Sequence, residues 1–455
     1  MTVPLDPRPD VRNGPAPEGR PGVRVDTADA LERDLALVQS RDRLPSVGAG
    51  VVRGGTLIWH GRRGAAVGDE GGGIGDGLDV QYRIGSLTKT MTAVLVLQCR
   101  DEGLLGLDDP LHAHQVDCPW PDTSLRQLLS HAGGLPAEPS GPWWERHDDS
   151  GLAALPARLD GQPLALEPAS HLHYSNVGYA LLGAVVERVR RAPWPEVLQA
   201  RVLEPLGMRR TTYLPTAPHA QGWSVHPWSG RLHSEPHTDT GAMAPAGQLW
   251  STVPDLGHWA AFWLHPGPVL DPSTAEEMQV PAAAQPGDVG ASYGLGLSVD
   301  DSAGRRRFGH GGSMPGFVAG LLVDPGERTA AVTVANGTTG GVGLLTATLL
   351  DTLHEYEPTP APTWEPETEL DGADELLGHW FWGNTPFTVV VRGSVLRLDS
   401  TNPGRCSRFV RAGEDVWRGL DAYFTGETLR VVRDHAHVPH RLDLATYDLR
   451  RHPYV

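Results

Sequence analysis

The sequence predicts an α/β fold of the α+β kind, in which an antiparallel sheet is flanked by helices and a helical subdomain, followed by a small all-β domain. Three observations support this prediction. Strand patterns with turn signals occur near both ends of residues 29–355, and helical patterns fill the part between them. A last helical pattern closes that region. A proline-rich stretch then leads into a series of short strand patterns.

The N-terminal part of the chain predicts a disordered segment, a helix and a hairpin. Residues 1–28 are rich in Pro, Gly and Arg and are predicted to be disordered. An amphipathic run that begins at Thr27 predicts the first helix. Residues 47–52 and 56–59 are apolar runs separated by a Gly-Gly pair, which is the pattern of a β-hairpin.

The next predicted helix places two polar side chains on one face. A short strand is predicted over residues 82–84, and apolar residues at helical spacing follow it up to Gly103, a residue suited to a helix C-terminus. Ser86 and Lys89 therefore lie in the first turn of this helix, one turn apart on the same face.

The remaining elements complete two domains, residues 29–355 and 372–455, joined by a linker over residues 356–371. The linker region is rich in prolines and acidic residues, which is typical of an interdomain segment. In the first domain the sequence predicts helices at 125–129, 178–189 and 343–355 and strands at 317–323 and 329–334. In the second it predicts the short strands of a small barrel or sandwich, at 389–391, 395–398, 416–417, 428–432 and 441–444.

The composition favours an acidic globular protein with no nucleic-acid or membrane partner. The 455 residues carry a formal net charge of −17, which disfavours binding to nucleic acid and to anionic membrane surfaces. No stretch approaches the apolar length of a membrane span. Three cysteines without metal-ligand spacing, and an N-terminus without an apolar signal core, predict a cytoplasmic protein in a reducing compartment.

Lys89 is the only lysine in a chain whose Lys and Arg residues number 38. Arginine supplies charge but does not release a proton in a protein, whereas a desolvated amine does and can then act as a base. Ser86 lies three residues before Lys89, so the sequence pairs a hydroxyl nucleophile with a titratable amine. The alternative interpretation is a helix cap followed by a surface lysine.

Two further polar clusters have residue types that fit the same chemistry. The hydroxyl of Tyr174 could relay a proton, and Asn176 could fix Lys89 or hold a substrate amide. The competing interpretations are a packing tyrosine and, for Asn176, a helix N-cap. The third cluster, residues 310–313, reads His-Gly-Gly-Ser at a predicted strand end, where the glycines would let the backbone approach a ligand closely.

Other polar and aromatic residues are interpreted more simply. His131, which precedes a Gly-Gly pair, is interpreted as structural. His171 and His173 are interpreted as loop histidines, because no third metal ligand is evident. Trp143 and Trp144 lie in a loop that either lines a substrate pocket or packs as an ordinary loop.

The order of these motifs resembles the serine β-lactamase and penicillin-binding protein superfamily: Ser-x-x-Lys, then Tyr/Ser-x-Asn, then a Lys/His-x-Gly strand. Within it, the chain is most similar to the class C β-lactamase-like branch of esterases, D-aminopeptidases and D,D-carboxypeptidases. The resemblance spans roughly residues 30–352 and implies a β-lactamase-like fold. Further stretches share the pattern of that branch, at 128–135, 174–183, 203–208 and 246–251.

The resemblance implies a role for each member of the first two motifs. Ser86 would be the acylated nucleophile and Lys89 its base. Tyr174 would be the proton shuttle, and Asn176 would orient Lys89 and the substrate. No metal ion or organic cofactor is implied.

The third motif would supply the oxyanion hole, from the backbone N–H groups of Ser86 and Ser313, with His310, Gly311 and Gly312 beside the substrate. Many relatives have lysine where this chain has His310. A histidine of ordinary pKa is mostly neutral at pH 7, so the sequence predicts weaker capture of a substrate carboxylate.

The sequence therefore predicts a serine hydrolase that acts through an acyl-serine on an ester, an amide or a peptide containing a D-amino acid. Its partner would be a small molecule or a short peptide. The alternatives are a β-lactamase proper and a catalytically idle homologue that binds a ligand or partner. The second domain resembles the lipocalin-type barrels appended to some D-aminopeptidase relatives, and the oligomeric state is left open.

Overall fold

The computed structural model describes residues 22–65, 78–148, 151–285, 291–301, 305–359, 373–392 and 395–454. The chain divides into two compact units, one ending at Thr359 and the other beginning at Pro360. The first unit is a large sheet with helices on both faces. The second is a closed barrel.

An antiparallel sheet forms the centre of the first unit. Its strands are β1 (Ser46–Arg53), β2 (Thr56–Gly64), β7 (Ala283–Ala284), β8 (Ala291–Tyr293), β9 (Ser298–Asp300), β10 (Arg307–Met314), β11 (Phe317–Asp324) and β12 (Thr329–Ala335). Within the described residues the strand order is β2-β1-β12-β11-β10-β9-β8-β7, and every adjacent pair is antiparallel. Short two-stranded ladders lie outside it: β3 (Tyr82–Arg83) with β6 (Trp250–Ser251), and β4 (Trp223–Val225) with β5 (Leu232–Ser234).

The helices cover both faces of the sheet and build the helical subdomain. They are α1 (Val25–Arg41), α2 (Leu87–Asp101), α3 (Leu125–Leu129), α4 (Leu155–Leu159), α5 (Asn176–Arg190), α6 (Trp194–Leu198), α7 (Ala244–Gly247), α8 (Val253–Leu264), α9 (Pro272–Met278) and α10 (Val342–Tyr356). Helices α1 and α10 pack on one face of the sheet and α8 on the other, while α2 packs against α5 and α7.

Strand β1 is buried on both faces because helices cover each side. Val47 and Val51 pack in a core cluster with residues of α1 and α10. Residues of the other parity point to the opposite face, where a Cβ on Gly50 would lie 3.0 Å from Val253 of α8 and 2.9 Å from Leu57. Glycine at this position therefore lets α8 approach the sheet closely.

Helix α2 is buried along almost its whole length, although it contains several threonines. The threonine hydroxyls have carbonyl partners, since Thr90 donates to the Leu87 carbonyl (2.7 Å) in the same turn and Thr92 to the Pro245 carbonyl (2.8 Å) of α7. Buried polar groups with partners cost little, so this central helix can be surrounded by the core. Its N-terminus follows directly after strand β3.

The second unit is an antiparallel barrel of eight strands in its described residues: β13 (Gly378–Trp382), β14 (Thr385–Arg392), β15 (Val395–Ser400), β16 (Ser407–Gly413), β17 (Val416–Gly419), β18 (Thr428–Arg433), β19 (Pro439–Leu444) and β20 (Tyr447–Arg450). Closure pairs β13 with β20, which leaves no strand edge exposed. Large side chains, including Trp380, Phe409 and Trp417, fill the interior.

The fold predicted from the sequence is confirmed, including the sheet, the flanking helices and the all-β second unit. The start of the first helix was predicted two residues too late. Helix α1 begins at Val25, so residues 25–28 of the segment predicted to be disordered are helical, and residues 1–21 lie outside the described part. The N–H of Arg24 donates to Glu357 at 2.6 Å, which anchors the beginning of α1 to the end of α10.

Two further predictions need correction. Residues 310–313 lie inside β10 and not at a strand end, because β10 continues to Met314 beside β11. Strands β4 to β9, β13, β16 and β20 were not predicted. Strands β4 to β9 are only two or three residues long, too short for an alternation to be recognised. Of the predicted linker 356–371, Tyr356 is the last residue of α10 and residues 360–371 lie outside the described residues. In the described part of the chain no helix has the length and apolarity to cross a membrane.

Candidate active site

Ser86 occupies the N-cap position of α2, but its side chain makes no capping hydrogen bond. The hydroxyl is directed instead to Lys89, with 2.9 Å between Ser86 Oγ and Lys89 Nζ. The competing interpretation of Ser86 as a simple helix cap is therefore wrong. The local geometry is that of a hydroxyl paired with an amine one helical turn away.

Lys89 is fully buried and meets three oxygen atoms. Besides Ser86 Oγ, its Nζ lies 2.6 Å from Asn176 Oδ1 and 2.7 Å from the Ala246 carbonyl oxygen. Burial lowers the pKa of Lys89 from 10.5 to about 7, and the nearby carboxylates of Glu138 and Glu145 raise it by a smaller amount. Lys89 is not a surface lysine.

The partners of Lys89 direct the lone pair of its neutral amine. A neutral amine has two N–H donors and one lone pair, and the amide oxygen of Asn176 and the carbonyl of Ala246 can only accept hydrogen bonds. With both donors used there, the lone pair faces the hydroxyl of Ser86. This arrangement suits removal of the serine proton.

Asn176 is the first residue of α5, and the N-cap is its neighbour Ser175. The Ser175 hydroxyl accepts from the Gly178 N–H at 3.0 Å, so an N-cap role for Asn176 is wrong. The Asn176 side chain is free to bridge the site: its oxygen faces Lys89, and its Nδ2 donates to Glu138 at 2.7 Å.

Tyr174 lies beside both Ser86 and Lys89. The Lys89 Nζ is 4.9 Å from the centre of the Tyr174 ring. Burial raises the pKa of Tyr174 above its ordinary value, while a hydrogen bond with the Ser86 hydroxyl opposes that shift. A phenol that stays protonated next to the nucleophile can pass a proton on, but is a poor resident base.

The backbones of Ser86 and Ser313 are held close together by Gly85. A Cβ on Gly85 would lie 2.6 Å from the Ser313 nitrogen, and its φ of +52° also favours glycine. In the ladder, Met314 and Phe317 close a two-residue hairpin, so the next pair, Ser313 with Val318, is a non-hydrogen-bonded pair. The Ser313 N–H therefore points away from β11.

Gly311 and Gly312 of β10 have different surroundings. A Cβ on Gly312 would lie 2.0 Å from the Ile84 carbonyl oxygen, so this glycine permits contact between β10 and the chain leading into α2. A Cβ on Gly311 would meet nothing within 4 Å. The predicted close approach to a ligand fits Gly311, whereas Gly312 is required by the fold.

His310 is buried and its two ring nitrogens face groups of the protein. Its Nδ1 faces the Gly311 carbonyl, which can only accept, so Nδ1 carries the hydrogen and Nε2 accepts from the Tyr293 hydroxyl at 2.8 Å. Burial, helped by the proximity of Lys89, lowers the pKa of His310 to about 4. The ring is neutral at pH 7 and supplies no positive charge to the cleft.

The structure adds residues that sequence reasoning missed. Glu138 accepts from Asn176 and, at 2.6 Å, from the indole N–H of Trp144, so it joins the polar network around Asn176. Tyr293 holds His310, and Ala246 offers its carbonyl to Lys89. Ala246 lies in a stretch already noted for its family pattern, whereas Glu138 and Tyr293 carried no signal of their own.

A cleft of about 420 Å³ opens over this network. Its walls include Ser86, Tyr174, His310, Gly311, Ser313 and Val342. A second cavity of about 600 Å³ shares Tyr174, His310 and Gly311 with it, and continues along β10 toward Arg307. All the predicted site residues therefore meet at one place: the three motifs converge on the hydroxyl of Ser86.

Comparisons with known sequences find a family model that covers most of the chain. The family model described as Beta-lactamase matches residues 29–354, and a domain family of unknown function, DUF7586, matches residues 370–451. The chain is 26% identical over 418 residues to the human protein named Putative beta-lactamase-like 1, covering 86% of this chain and 81% of that protein. It is 24% identical over 267 residues to Protein flp of Staphylococcus aureus, covering 56% and 53% of the two chains.

Solved structures share the fold. The octameric penicillin-binding protein homologue from Pyrococcus abyssi aligns with a TM-score of 0.64 at 20% identity, covering 92% of this chain and 98% of that one. A D-stereospecific amidohydrolase from Streptomyces sp. aligns with a TM-score of 0.59 at 26% identity, covering 74% and 98%. Since the family model spans most of the chain, this protein belongs to the beta-lactamase family, whose members are generally serine hydrolases.

Proposed function

We propose that the protein hydrolyses an ester, an amide or a D-aminoacyl derivative through an acyl intermediate on Ser86. One observation carries the proposal: the amine of Lys89 is buried, its two N–H groups have acceptor partners, and the atom that remains 2.9 Å away is Ser86 Oγ. A pKa of about 7 leaves much of this amine neutral at physiological pH.

The acylation step moves one proton and one acyl group. The Lys89 amine takes the proton of the Ser86 hydroxyl as Oγ bonds to the substrate carbonyl carbon. The carbonyl oxygen gains negative charge beside the N–H groups of Ser86 and Ser313. As the bond to the leaving group breaks, the proton passes from Lys89 through the hydroxyl of Tyr174 to that group.

Deacylation repeats the sequence with water as the nucleophile. The neutral amine of Lys89 takes one proton from water, relayed through the hydroxyl of Tyr174, while the water oxygen attacks the acyl carbon. The ester bond to Ser86 then breaks, and Oγ regains its proton. The enzyme returns to its starting protonation state, so each cycle consumes one water molecule.

The charges around the cleft favour substrates without a carboxylate at this position. Among the described residues that line the 420 Å³ cleft none is lysine or arginine, and His310 is neutral. The carboxylate of Glu138 lies next to the site, where it accepts a hydrogen bond from Asn176. A free ammonium group, as in a D-aminoacyl amide or ester, matches this charge. The similarity to the Streptomyces D-stereospecific amidohydrolase supports the same substrate class.

The test combines active-site labelling with a substrate panel. Purified protein and Ser86→Ala are treated with a fluorophosphonate probe, then assayed with p-nitrophenyl esters, D- and L-aminoacyl p-nitroanilides and nitrocefin. We expect labelling of Ser86 only in the wild type, and faster turnover of esters or D-aminoacyl anilides than of nitrocefin. Faster nitrocefin turnover would indicate a β-lactamase proper. Absence of labelling in folded protein would indicate an idle ligand-binding homologue and would contradict the proposal.

A further inference from the structure

We propose that His131 is a positioning residue that holds Tyr174 and Asn176 in their working places through the backbone between them. The inference rests on the proposed function of Ser86 and Lys89. His131 touches neither the substrate cleft nor the nucleophile directly, and it lies in the loop that follows α3. Its imidazole was expected to be only structural.

A ladder of hydrogen bonds fastens the loop after α3 to the segment that carries Tyr174 and Asn176. The His173 N–H donates to the His131 carbonyl at 2.8 Å, and the Asn176 N–H donates to the Ala137 carbonyl at 2.8 Å. The Ser175 hydroxyl donates to the Pro136 carbonyl at 2.6 Å. The loop after α3 therefore holds the backbone of residues 173–176 in place through hydrogen bonds.

The imidazole of His131 adds a side-chain hydrogen bond in the middle of this set of contacts. Its Nδ1 accepts from the Ser175 N–H at 3.1 Å, at the residue between Tyr174 and Asn176. Its ring also packs against Tyr174, with 4.2 Å between ring centres and a tilt of 37°. One side chain thus fixes both the backbone between the two site residues and the face of the phenol.

The acceptor role requires a neutral ring, and the surroundings keep it neutral. Burial, together with nearby Lys89, His310 and His173, lowers the pKa of His131 well below 6.5. Protonation would place an N–H donor against the Ser175 N–H donor. The neutral tautomer carries its hydrogen on Nε2, where it finds no hydrogen-bond partner within the described residues.

The backbone conformation of His131 is energetically unfavourable for a residue that would serve only to fill the core. Its φ is +56°, a conformation that glycine or asparagine adopts more easily than histidine. A buried N–H without a partner adds a second cost. Both costs fall at a residue in contact with the catalytic segment, which is where strain is commonly found to serve function.

The experiment distinguishes the contribution of the Nδ1 acceptor of His131 from that of its aromatic ring. His131→Phe keeps a flat ring but removes Nδ1, whereas His131→Asn keeps an acceptor near the Nδ1 position and tolerates the left-handed backbone. Steady-state kinetics use the preferred substrate of the wild type, and thermal melts monitor folding. His258→Phe, on the exposed side of α8, is the matched control.

We expect kcat to fall about 30-fold in His131→Phe with KM changed less than threefold, since ground-state binding is largely kept. His131→Asn should recover most of this loss, and His258→Phe should match the wild type. Equal losses in the Phe and Asn variants, or full activity in His131→Phe, would overturn the proposal.

A turnover-independent readout keeps this test distinct from the proposed hydrolase activity. Carbon-13 labelling of the ε-carbon of Lys89, the only lysine, reports its pKa. A displaced Asn176 admits water, so the pKa of Lys89 should rise in His131→Phe and return in His131→Asn. If His131→Phe does not fold, His131→Gly, which suits the backbone, should lose activity and regain it with added imidazole. Unchanged Lys89 titration in the Phe variant, or full activity of His131→Gly without imidazole, would contradict the positioning role.

Discussion

Helix α2 and strand β10 each bring one buried nitrogen base to the cleft, and the two bases differ in what they can do. Burial lowers the pKa of both, that of Lys89 to about 7 and that of His310 to about 4. The lone pair of Lys89 faces a hydroxyl that can be deprotonated. The ring of His310 has one nitrogen facing Tyr293 and the other facing the Gly311 carbonyl.

The difference shows that burial alone does not make a catalytic base. What decides the role is the group that meets the lone pair once the other hydrogen bonds have been satisfied. The lone pair of Lys89 meets the hydroxyl of the nucleophile Ser86, whereas the lone pair of His310 is occupied by the hydroxyl of Tyr293. The first is suited to chemistry, and the second to shaping a cleft without charge.

The largest expected loss of activity comes from substituting the two α2-side residues, Ser86 and Lys89. Ser86→Ala removes the acyl acceptor, and Lys89→Arg keeps a positive charge but removes the titratable amine. Each should lower kcat/KM by on the order of 10³-fold or more, because the nucleophile is lost or left without its base.

Steady-state assays with the preferred substrate measure this effect. Arg209→Lys, on the exposed surface, is the matched control and should keep full activity. An active Lys89→Arg variant would show that charge, and not proton removal, is what position 89 contributes.

Substitutions at Gly311 and Gly312 of β10 give the next largest expected effect. Alanine at Gly312 would place Cβ 2.0 Å from the Ile84 carbonyl, so we expect a loss of about 3 kcal/mol in the free energy of unfolding. Alanine at Gly311 meets no atom within 4 Å and should change that free energy by less than about 0.5 kcal/mol. Urea unfolding of both variants measures the difference, and equal stabilities would show that β10 is not pressed against the chain before α2.

A smaller effect tests the missing positive charge on β10. His310→Lys places an ammonium group where the neutral ring lies, and should raise kcat/KM for substrates with a carboxylate about tenfold relative to neutral esters. Competition between nitrocefin and a p-nitrophenyl ester reveals the change in preference. His354→Lys, away from the cleft, serves as the control. An unaltered preference would mean that substrates do not approach His310.

The smallest effect concerns Glu138. Glu138→Gln is nearly isosteric and keeps one of the two acceptor oxygens that face Trp144 and Asn176, but it removes the charge. The preference for free aminoacyl anilides over N-acetylated ones should fall only about threefold, because the exposed carboxylate is screened by water. The pKa of Lys89 should also fall, since this carboxylate raises it. Glu414→Gln in the barrel should change neither property. Equal preference in wild type and Glu138→Gln would exclude Glu138 from substrate recognition.

How much the sequence could predict depended on the range of each contact. The Ser86–Lys89 pair is set by one helical turn, so its spacing was enough. Asn176 lies 87 residues after Lys89, and only the order of motifs linked the two. Glu138 and Tyr293 have no spacing relation to their partners, and the need for glycine at position 312 arises from a backbone carbonyl of another segment. Such contacts exist only after the sheet and α2 have packed together.

Because Lys89 is the only lysine, its pKa, on which its role as a base depends, can be measured directly. In protein labelled with carbon-13 at the lysine ε-carbon, the only lysine resonance should titrate with a midpoint near pH 7, the pKa that burial gives Lys89. The kcat/KM of the wild type should rise through the same midpoint as pH increases, because only the neutral amine can take the serine proton. A resonance that titrates near the ordinary value of 10.5 would contradict a neutral Lys89 as the base for Ser86.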